Sequence, residues 1–237
     1  MSATLGPRRD LLERLAAWIT SHPLDHVVRV AIDGPDAAGK STLADELVPF
    51  VGRTGREAIR VSLDGFHRPR SARYARGELD PEGYYRDAFD LEAVVRDVLA
   101  PLGPAGSQAY RAAVFDVETD SSASEPVRMA TAGAVLLFDG VFLLRQELRG
   151  SWECSVFVDA NESEILRRAL TRDSARFGSD EHVRARYMTR YLPAQRIYLE
   201  ESRPLDVADV VIENSDPDHP LVTRVSERGR PVLEAAR

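Results

Sequence analysis

The chain has 237 residues, of which 43% are hydrophobic and 29% are charged, and its net charge at pH 7 is −7. This composition is typical of a folded globular protein and excludes collagen-like, disordered and disulfide-stapled chains. An acidic balance is atypical of a protein that binds nucleic acid, because most of that affinity comes from basic side chains that neutralise phosphates. We therefore expect no nucleic-acid partner.

Neither membrane insertion nor export is expected from the sequence. The longest apolar runs, such as Ala134–Phe138, are far shorter than the roughly 20 residues that a membrane helix needs. The N-terminal segment combines charged residues with an amphipathic stretch, unlike the apolar core of a signal peptide. The single cysteine, Cys154, cannot form an intrachain disulfide. These features predict a cytoplasmic protein.

The predicted elements alternate between helix and strand along the chain. Hydrophobic periodicity predicts helices near 9–20, 40–50, 89–100, 161–175 and 180–200, and strands at about 27–32, 57–62, 134–138, 154–158 and 208–212. This alternation predicts an α/β fold with a doubly wound parallel sheet. In such a fold, ligands bind at the carboxyl ends of the strands.

One lysine points to the chemistry. All but one of the 31 lysine and arginine residues are arginines, and the exception is Lys40. A lysine that persists among arginines indicates a need for a compact ammonium on a flexible stem. Lys40 ends the run Gly34-Pro35-Asp36-Ala37-Ala38-Gly39-Lys40, and Ser41 follows it. A β-branched run precedes this segment and a helical pattern follows it, which is the context of a phosphate-binding P-loop.

The P-loop predicts binding of a nucleoside triphosphate together with Mg²⁺, and ATP is the nucleotide expected here. Its backbone N–H groups and the helix N-terminus would face the phosphates. The residues expected at the nucleotide are Gly34, Asp36, Ala37, Ala38, Gly39, Lys40, Ser41 and Thr42. Lys40 would reach the β- and γ-phosphates, and the hydroxyl of Ser41 would be a ligand of Mg²⁺.

Two further carboxylates follow predicted strands. Asp64-Gly65 comes after the strand at 57–62, and Asp139-Gly140 comes after the strand at 134–138. A kinase needs one carboxylate to orient or deprotonate the acceptor hydroxyl and another near Mg²⁺. Asp-Gly is also a common turn pair at strand ends, so a purely structural reading stays open. The chain lacks the guanine-reading motif of a GTPase and the signature of a transporter ATPase, which leaves a small-molecule kinase.

The ordered motifs resemble the uridine kinase family, within the group that includes phosphoribulokinase and bacterial pantothenate kinase. The resemblance covers about residues 28–214 and rests on Gly34–Ser41, Ser62-Leu63-Asp64-Gly65-Phe66-His67, Asp87-Ala88-Phe89-Asp90, Leu137-Phe138-Asp139-Gly140-Val141-Phe142, the arginine-rich run Arg167–Asp173, Arg190-Tyr191 and Ala208–Ile212. It implies a P-loop kinase domain at 27–214, and the amphipathic pattern before it predicts a leading helix at 1–26. A small insertion at 103–132 would carry one or two short strands. A tail at 215–237, with a strand at Leu221–Val225, would pack on the same domain.

The resemblance also implies roles for individual carboxylates. Asp64 matches the catalytic base near the acceptor 5′-hydroxyl, and Asp87 matches the carboxylate that holds ribose hydroxyls. Asp139 stands where the family usually has a glutamate near Mg²⁺, and its shorter side chain could act directly or through a bridging water.

A helical lid is implied by the same resemblance. Arg168, Arg172 and Arg176 match arginines that close over the triphosphate, and Arg172 would also assist catalysis. The first two are four residues apart and share a helix face. Asn161 and Glu164 form a capping-box pattern at the start of that helix. A solvated, ion-paired helix face is the alternative reading.

The match is weakest where the family reads the base. The stretch at 110–120 keeps Phe115 but has no histidine at the expected place, and His67 replaces the usual tyrosine. His67 would either bind a sugar or pack against Tyr74 or Tyr84. The adjoining segment at 68–77 is rich in arginine, which suits an anionic acceptor or a mobile surface loop.

Three functional hypotheses remain open at this stage. The first is transfer of a phosphoryl group from ATP to the 5′-hydroxyl of uridine or cytidine, as in pyrimidine salvage. The second keeps the fold and changes the acceptor to another small hydroxylated metabolite, such as a sugar phosphate or pantothenate. The third is a non-catalytic, ATP-binding regulatory protein. Members of the family often assemble as oligomers, so a homo-oligomer is also open.

Overall fold

The computed structural model describes residues 7–22 and 25–234. The predicted leading helix and tail extend beyond these limits, and residues 1–6, 23, 24 and 235–237 lie outside the described residues. No helix in the described part of the chain is long and apolar enough to cross a membrane.

Helices and strands alternate as the sequence predicts. The helices are α1 (Pro7–Thr20), α2 (Lys40–Gly52), α3 (Arg70–Arg73), α4 (Leu91–Val94), α5 (Ala100–Leu102), α6 (Glu162–Phe177), α7 (Asp180–Arg186), α8 (Leu192–Ser202), α9 (Pro204–Val207) and α10 (Pro231–Glu234). The strands are β1 (Val28–Asp33), β2 (Ala58–Ser62), β3 (Ala109–Tyr110), β4 (Phe115–Asp116), β5 (Ser121–Ser122), β6 (Arg128–Met129), β7 (Val135–Asp139), β8 (Cys154–Asp159), β9 (Val210–Glu213) and β10 (Leu221–Val225). Single π-helical turns join α4 to α5 and α7 to α8. The predicted bounds of the main helices and of the strands of the parallel sheet are confirmed to within two residues.

The main sheet has the strand order β10-β9-β8-β1-β7-β2. The pairs β9-β8, β8-β1, β1-β7 and β7-β2 are parallel, and β10 pairs antiparallel with β9 at the edge. Side chains alternate between the two faces of each strand. On β7, Val135 and Leu137 pack against α1 and α2, whereas Leu136 and Phe138 pack into the cluster on the opposite face. Both faces are therefore covered, and the doubly wound α/β fold is confirmed.

The insertion at 103–132 contains more strands than expected. We predicted one or two short strands, and the structure has four two-residue strands in two small antiparallel pairs, β3 with β6 and β4 with β5. Segments this short carry too little hydrophobic alternation to be recognised from the sequence. The predicted strand at Leu221–Val225 is confirmed.

A buried carboxylate attaches the C-terminal segment to the sheet. Asp209 is 1% exposed, and it accepts hydrogen bonds from the backbone N–H of Ser155 at 3.0 Å and the hydroxyl of Ser226 at 2.9 Å. Arg228 donates from Nε to the same carboxylate at 2.9 Å. The predicted domain boundaries at 26/27 and 214/215 stay predictions.

We predict that Asp209→Asn lowers the free energy of unfolding by about 3 kcal/mol, because it leaves the donors around a buried carboxylate without their charged partner. Urea denaturation would measure the change. The matched control is Asp206→Asn, since Asp206 is largely exposed and pairs only at the surface with Arg203. That control should change the free energy by less than about 0.5 kcal/mol. Equal effects of the two substitutions would contradict this account of Asp209.

Candidate active site

The P-loop connects the end of β1 to the start of α2, and two of its glycines are required by close contacts. Gly34 has a φ of 144°, and a Cβ there would lie 2.0 Å from the carbonyl oxygen of Val158. Gly39 has a φ of 101°, and a Cβ there would lie 2.6 Å from Nδ2 of Asn214. Both the left-handed backbone and the lack of space exclude a larger residue. The loop can therefore curl tightly enough to present its N–H groups to a phosphate.

Lys40 is held within this loop. Its side chain is buried, and Nζ donates a hydrogen bond to the carbonyl oxygen of Pro35 at 2.6 Å. Burial lowers the pKa of the Lys40 ammonium, and the nearby carboxylates of Asp36, Asp33, Asp139 and Asp64 act in the opposite direction. The only lysine of the chain thus lies within the P-loop, close to four acidic side chains.

Ser41 and Asp139, the two residues predicted to lie near Mg²⁺, are in contact. The hydroxyl of Ser41 donates to Oδ2 of Asp139 at 2.5 Å. The other oxygen of Asp139 accepts from Nη2 of Arg60 at 2.9 Å. Asp139 is 2% exposed, and β7 positions it because its backbone is in register with Ser62 of β2. A hydroxyl and a carboxylate oxygen are ligands of the kind that Mg²⁺ uses, with waters and phosphate oxygens completing its shell.

A cavity of about 450 Å³ lies at the carboxyl ends of β1, β2 and β7. The predicted site residues that line it are Asp36, Ala37, Lys40, Ser41, Asp64, His67, Asp139 and Arg172. Asp64 is exposed, in the turn that follows β2. His67 lies against Phe89, with ring centroids 4.6 Å apart, and its Nδ1 is 3.0 Å from the carbonyl oxygen of Asp64. The sequence suggested Tyr74 or Tyr84 as the packing partner of His67, and the ring contact described here is with Phe89.

Asp36 has a position that loop membership alone does not predict. Its carboxylate accepts from the hydroxyl of Tyr84 at 3.1 and 3.2 Å. Burial raises the pKa of Asp36, while the charges of Lys40 and Arg172 oppose the rise. The P-loop therefore presents a carboxylate to the cavity in addition to its backbone N–H groups.

The lid arginines are arranged differently from one another. Arg172 lines the cavity and pairs with Asp173, with Nε and Oδ1 2.7 Å apart. Arg168 instead donates to the backbone carbonyls of Ala38 at 3.2 Å and Asn214 at 2.7 Å. It therefore joins the P-loop to the segment after β9 and is absent from the described cavity wall. The side chain of Arg176 lies outside the described side chains.

At the N-terminus of α6, the lid helix, one of the two hydrogen bonds of the predicted capping box is present. Oδ1 of Asn161 accepts from the backbone N–H of Glu164 at 2.8 Å, as predicted. The Glu164 side chain does not return to Asn161, because it pairs with Arg167 and Arg168 at 2.6 and 2.7 Å. These arginines hold the pKa of Glu164 down at about 2, with the hydrogen bond from Arg167 as the largest cause.

Two predicted substrate residues lie away from the described cavity wall. Asp87 forms an ion pair with Arg76, with Oδ2 and Nε 2.6 Å apart. Phe115 is 8% exposed and pairs through β4 with Ser122. Their roles at a sugar or base stay predictions.

Several aromatic and basic side chains also line the cavity, and the sequence did not single them out as site residues. They are Arg73, Tyr84, Tyr187, Arg190 and Tyr191. The guanidinium of Arg190 lies over the rings of Tyr74 and Tyr84, 5.0 and 5.1 Å from their centroids. The run Arg190-Tyr191 was visible as part of a motif, but only the fold shows that it faces the P-loop.

Comparisons with known proteins agree with this geometry. Residues 29–218 match the model of the phosphoribulokinase / uridine kinase family. Uridine-cytidine kinase 2-B of Danio rerio is 27% identical over 187 residues, which cover 71% of this chain and 68% of the relative. A uridine kinase of Deinococcus deserti is 27% identical over 219 residues, which cover 91% of this chain and 100% of the relative.

Solved structures show the same fold. A possible uridine kinase from Bacillus stearothermophilus superimposes with a TM-score of 0.66 at 24% identity, covering 86% of this chain and 97% of that one. D-glycerate 3-kinase from Cryptococcus neoformans superimposes with a TM-score of 0.60 at 17% identity, covering 92% and 97%.

The chain belongs to the phosphoribulokinase / uridine kinase family. It is an ATP-dependent small-molecule kinase with the fold of the P-loop kinases. This membership favours an enzyme over the non-catalytic ATP-binding protein that the sequence left open.

A buried carboxylate that the sequence did not single out fixes the start of the P-loop in this kinase. Asp33 is fully buried and accepts from the backbone N–H groups of Gly34 at 2.7 Å and Leu144 at 3.0 Å. Tyr198 of α8 also donates its hydroxyl to this carboxylate. Burial raises the pKa of Asp33 to about 6, although these hydrogen bonds oppose the rise.

We predict that Asp33 titrates near pH 6, well above its ordinary pKa of 3.8. The pKa of Asp33 is higher in the folded protein than in the unfolded chain. Folding therefore binds a proton at pH values between about 4 and about 6. The contribution of Asp33 to the free energy of unfolding therefore falls as the pH rises from about 4 to about 6. Carboxyl ¹³C NMR would follow the titration, with Asp33→Asn assigning the resonance. A midpoint near pH 4 would contradict the prediction.

Proposed function

We propose that the kinase transfers the γ-phosphoryl group of ATP to the 5′-hydroxyl of a pyrimidine nucleoside, uridine or cytidine, with Mg²⁺ as cofactor. The observation that carries the proposal is that Asp64 lines the same cavity as Lys40 and Ser41. The names of the curated relatives, uridine-cytidine kinase and uridine kinase, support the choice of acceptor. A cytoplasmic location and a homo-oligomer stay predictions.

In this proposal, the side chains around the cavity have distinct tasks. Asp64, exposed at the end of β2, orients the acceptor hydroxyl and takes its proton. Lys40 leaves the carbonyl of Pro35 for the phosphates, and its charge stabilises the transferring group. Arg172 adds a second positive charge from the lid side of the cavity.

Ser41 and Asp139 fit a magnesium ion. Their oxygens already lie 2.5 Å apart at the mouth of the P-loop, and Mg²⁺ commonly uses only one or two protein ligands beside phosphate oxygens and waters. Within the described residues, no three acidic, histidine or cysteine side chains gather into a metal site made by protein alone. Mg²⁺ held at this place would neutralise charge that develops on the phosphates.

A second candidate function is phosphorylation of an anionic metabolite, such as a sugar phosphate or pantothenate. It is favoured by Arg73 and Arg190, which line the cavity together with Asp64. Arginine pairs well with phosphate and carboxylate groups, because its planar fork matches both.

We predict turnover with uridine or cytidine in a coupled ADP-release assay, against a panel of other nucleosides, sugar phosphates and pantothenate. Asp64→Asn should lower kcat by about 10²- to 10⁴-fold, because the base is lost while its shape is kept. Lys40→Ala should lower kcat by about 10²-fold or more. The control Asp206→Asn changes a surface ion pair and should leave the rate unchanged.

If only anionic acceptors are phosphorylated, the second candidate function replaces the first. A folded, ATP-binding protein that phosphorylates nothing in the panel would contradict the proposal.

Magnesium dependence is a separate prediction. Removal of divalent ions with EDTA should abolish turnover, and added Mg²⁺ should restore it, because charge on the phosphates would otherwise be uncompensated. Asp139→Ala should raise the Mg²⁺ concentration needed for half-maximal rate, whereas Asp206→Asn should leave it unchanged. An unaltered Mg²⁺ dependence in Asp139→Ala would show that Asp139 does not act on the ion.

A further inference from the structure

A second cavity adjoins the active site, and we call it the arginine cavity. It has a volume of about 730 Å³ and lies between segment 70–79, the β4-β5 hairpin and α7. Three arginines line it, Arg70, Arg73 and Arg186. Glu78 and Glu118 are the acidic residues among its lining, and Asp120 pairs with Arg73.

The arginine cavity and the active-site cavity share part of their lining. Arg73, Tyr74, Val117 and Phe177 line both. A ligand whose hydroxyl lies at Asp64 can therefore extend past these side chains into the arginine cavity. The same shared wall allows a separate ligand in the arginine cavity to act on the acceptor site.

Two of the lining arginines have unused hydrogen-bonding capacity. The side chain of Arg73 is 7% exposed, and its Nη2 pairs with Asp120 at 2.6 Å, yet its buried Nε has no partner among the described residues. Arg186 pairs through Nη2 with Glu78, while its buried Nη1 also has no partner in the described chain. Buried polar groups are normally hydrogen-bonded, so each of these two donors has capacity for a further partner.

The surroundings hold these guanidinium groups in place. Arg186 lies over the ring of Phe177 at 4.7 Å, and Arg73 lies over the ring of Tyr74 at 5.5 Å. A stacked, planar guanidinium loses little further freedom when it binds an oxyanion. Glu78 is the only acidic partner of Arg186 in the described chain, and it is 56% exposed, so an incoming anion can displace it into solvent.

We propose that the arginine cavity binds the phosphate or carboxylate group of a small anionic molecule. The molecule is either the acceptor itself, with its anionic end in this cavity, or a separate regulator that binds beside the acceptor. Both sources present the same chemistry to Arg73 and Arg186. The inference rests on the proposed kinase activity only for its kinetic consequence, since the binding itself requires no turnover.

Calorimetric titration of the full chain tests the binding. The probes are ribose 5-phosphate and pantothenate, with ribose as the neutral match, in the presence of Mg²⁺ and a saturating non-hydrolysable ATP analogue that occupies the P-loop. Ribose 5-phosphate should bind at least about tenfold more tightly than ribose, because it adds charge-assisted hydrogen bonds.

Two variants with opposite expected effects on binding distinguish a change in affinity from a loss of folding. Arg186→Gln should weaken ribose 5-phosphate binding by about 10- to 100-fold, through loss of its charged hydrogen bonds. Glu78→Gln should strengthen binding, because it removes the competing carboxylate. The control is Arg196→Gln, since Arg196 forms an exposed ion pair with Glu162 at 2.8 Å and lines neither cavity. That control should bind as the wild type does.

Steady-state kinetics separates the two sources of the anion. If the anion belongs to the acceptor, ribose 5-phosphate or pantothenate is phosphorylated, and Arg186→Gln raises its KM with little change in kcat. If it belongs to a regulator, neither is phosphorylated, but each changes the KM for uridine in the wild type and not in Arg186→Gln.

Equal binding of ribose 5-phosphate and ribose would overturn the proposal, as would anion binding that is unaffected by Arg186→Gln and Glu78→Gln together. Absence of turnover with every acceptor, while arginine-dependent binding persists, would count against the proposed function alone.

Discussion

The parallel pairing of β7 between β1 and β2 is the constraint on which the site depends. In this pairing Asp139 is in register with Ile32 on one side and with Ser62 on the other. Strand β1 continues into the P-loop and β2 continues into the turn of Asp64, so one register positions the loop and both carboxylates. A slip by two residues would keep the same faces buried but move Asp139 by about 7 Å, beyond reach of Ser41. Buried aliphatic side chains, which have no chemical role, therefore determine where the charged groups meet.

Positively and negatively charged side chains lie together at this edge of the main sheet. Lys40 lies near four carboxylates, and a triphosphate that enters must approach the same carboxylates. Part of the repulsion is already relieved, because Arg60 pairs with Asp139. Under the proposed function, a divalent ion at Ser41 and Asp139 supplies the rest of the compensation. Such a site would favour a metal-bound triphosphate over the free one, since only the former brings its own positive charge.

Sequence patterns predicted most of the fold because they depend on neighbouring residues. Helix and strand periods, the glycine spacing of the P-loop and carboxylates directly after strands are all local signals. What the sequence did not predict depends on long-range contacts. Asp33 and Tyr198 meet although 165 residues separate them, and Tyr84 reaches Asp36 across 48 residues. Arg168 was predicted from the family resemblance and its helix face, and its observed partners include backbone carbonyls, which no residue pattern records.

Under the proposed function, the charges on the acceptor side of the cavity are arranged differently from those on the phosphate side. Arginines are abundant there, but most of their charge is balanced within the chain: Arg73 pairs with Asp120, and Arg76 pairs with Asp87. A neutral acceptor can bind without disturbing these pairs, whereas an anionic acceptor must compete with a carboxylate for each guanidinium. Competition is easiest where the carboxylate is exposed, because water takes it up at little cost in free energy. Specificity between neutral and anionic acceptors therefore depends on how firmly each internal pair is held, and less on how many arginines line the wall.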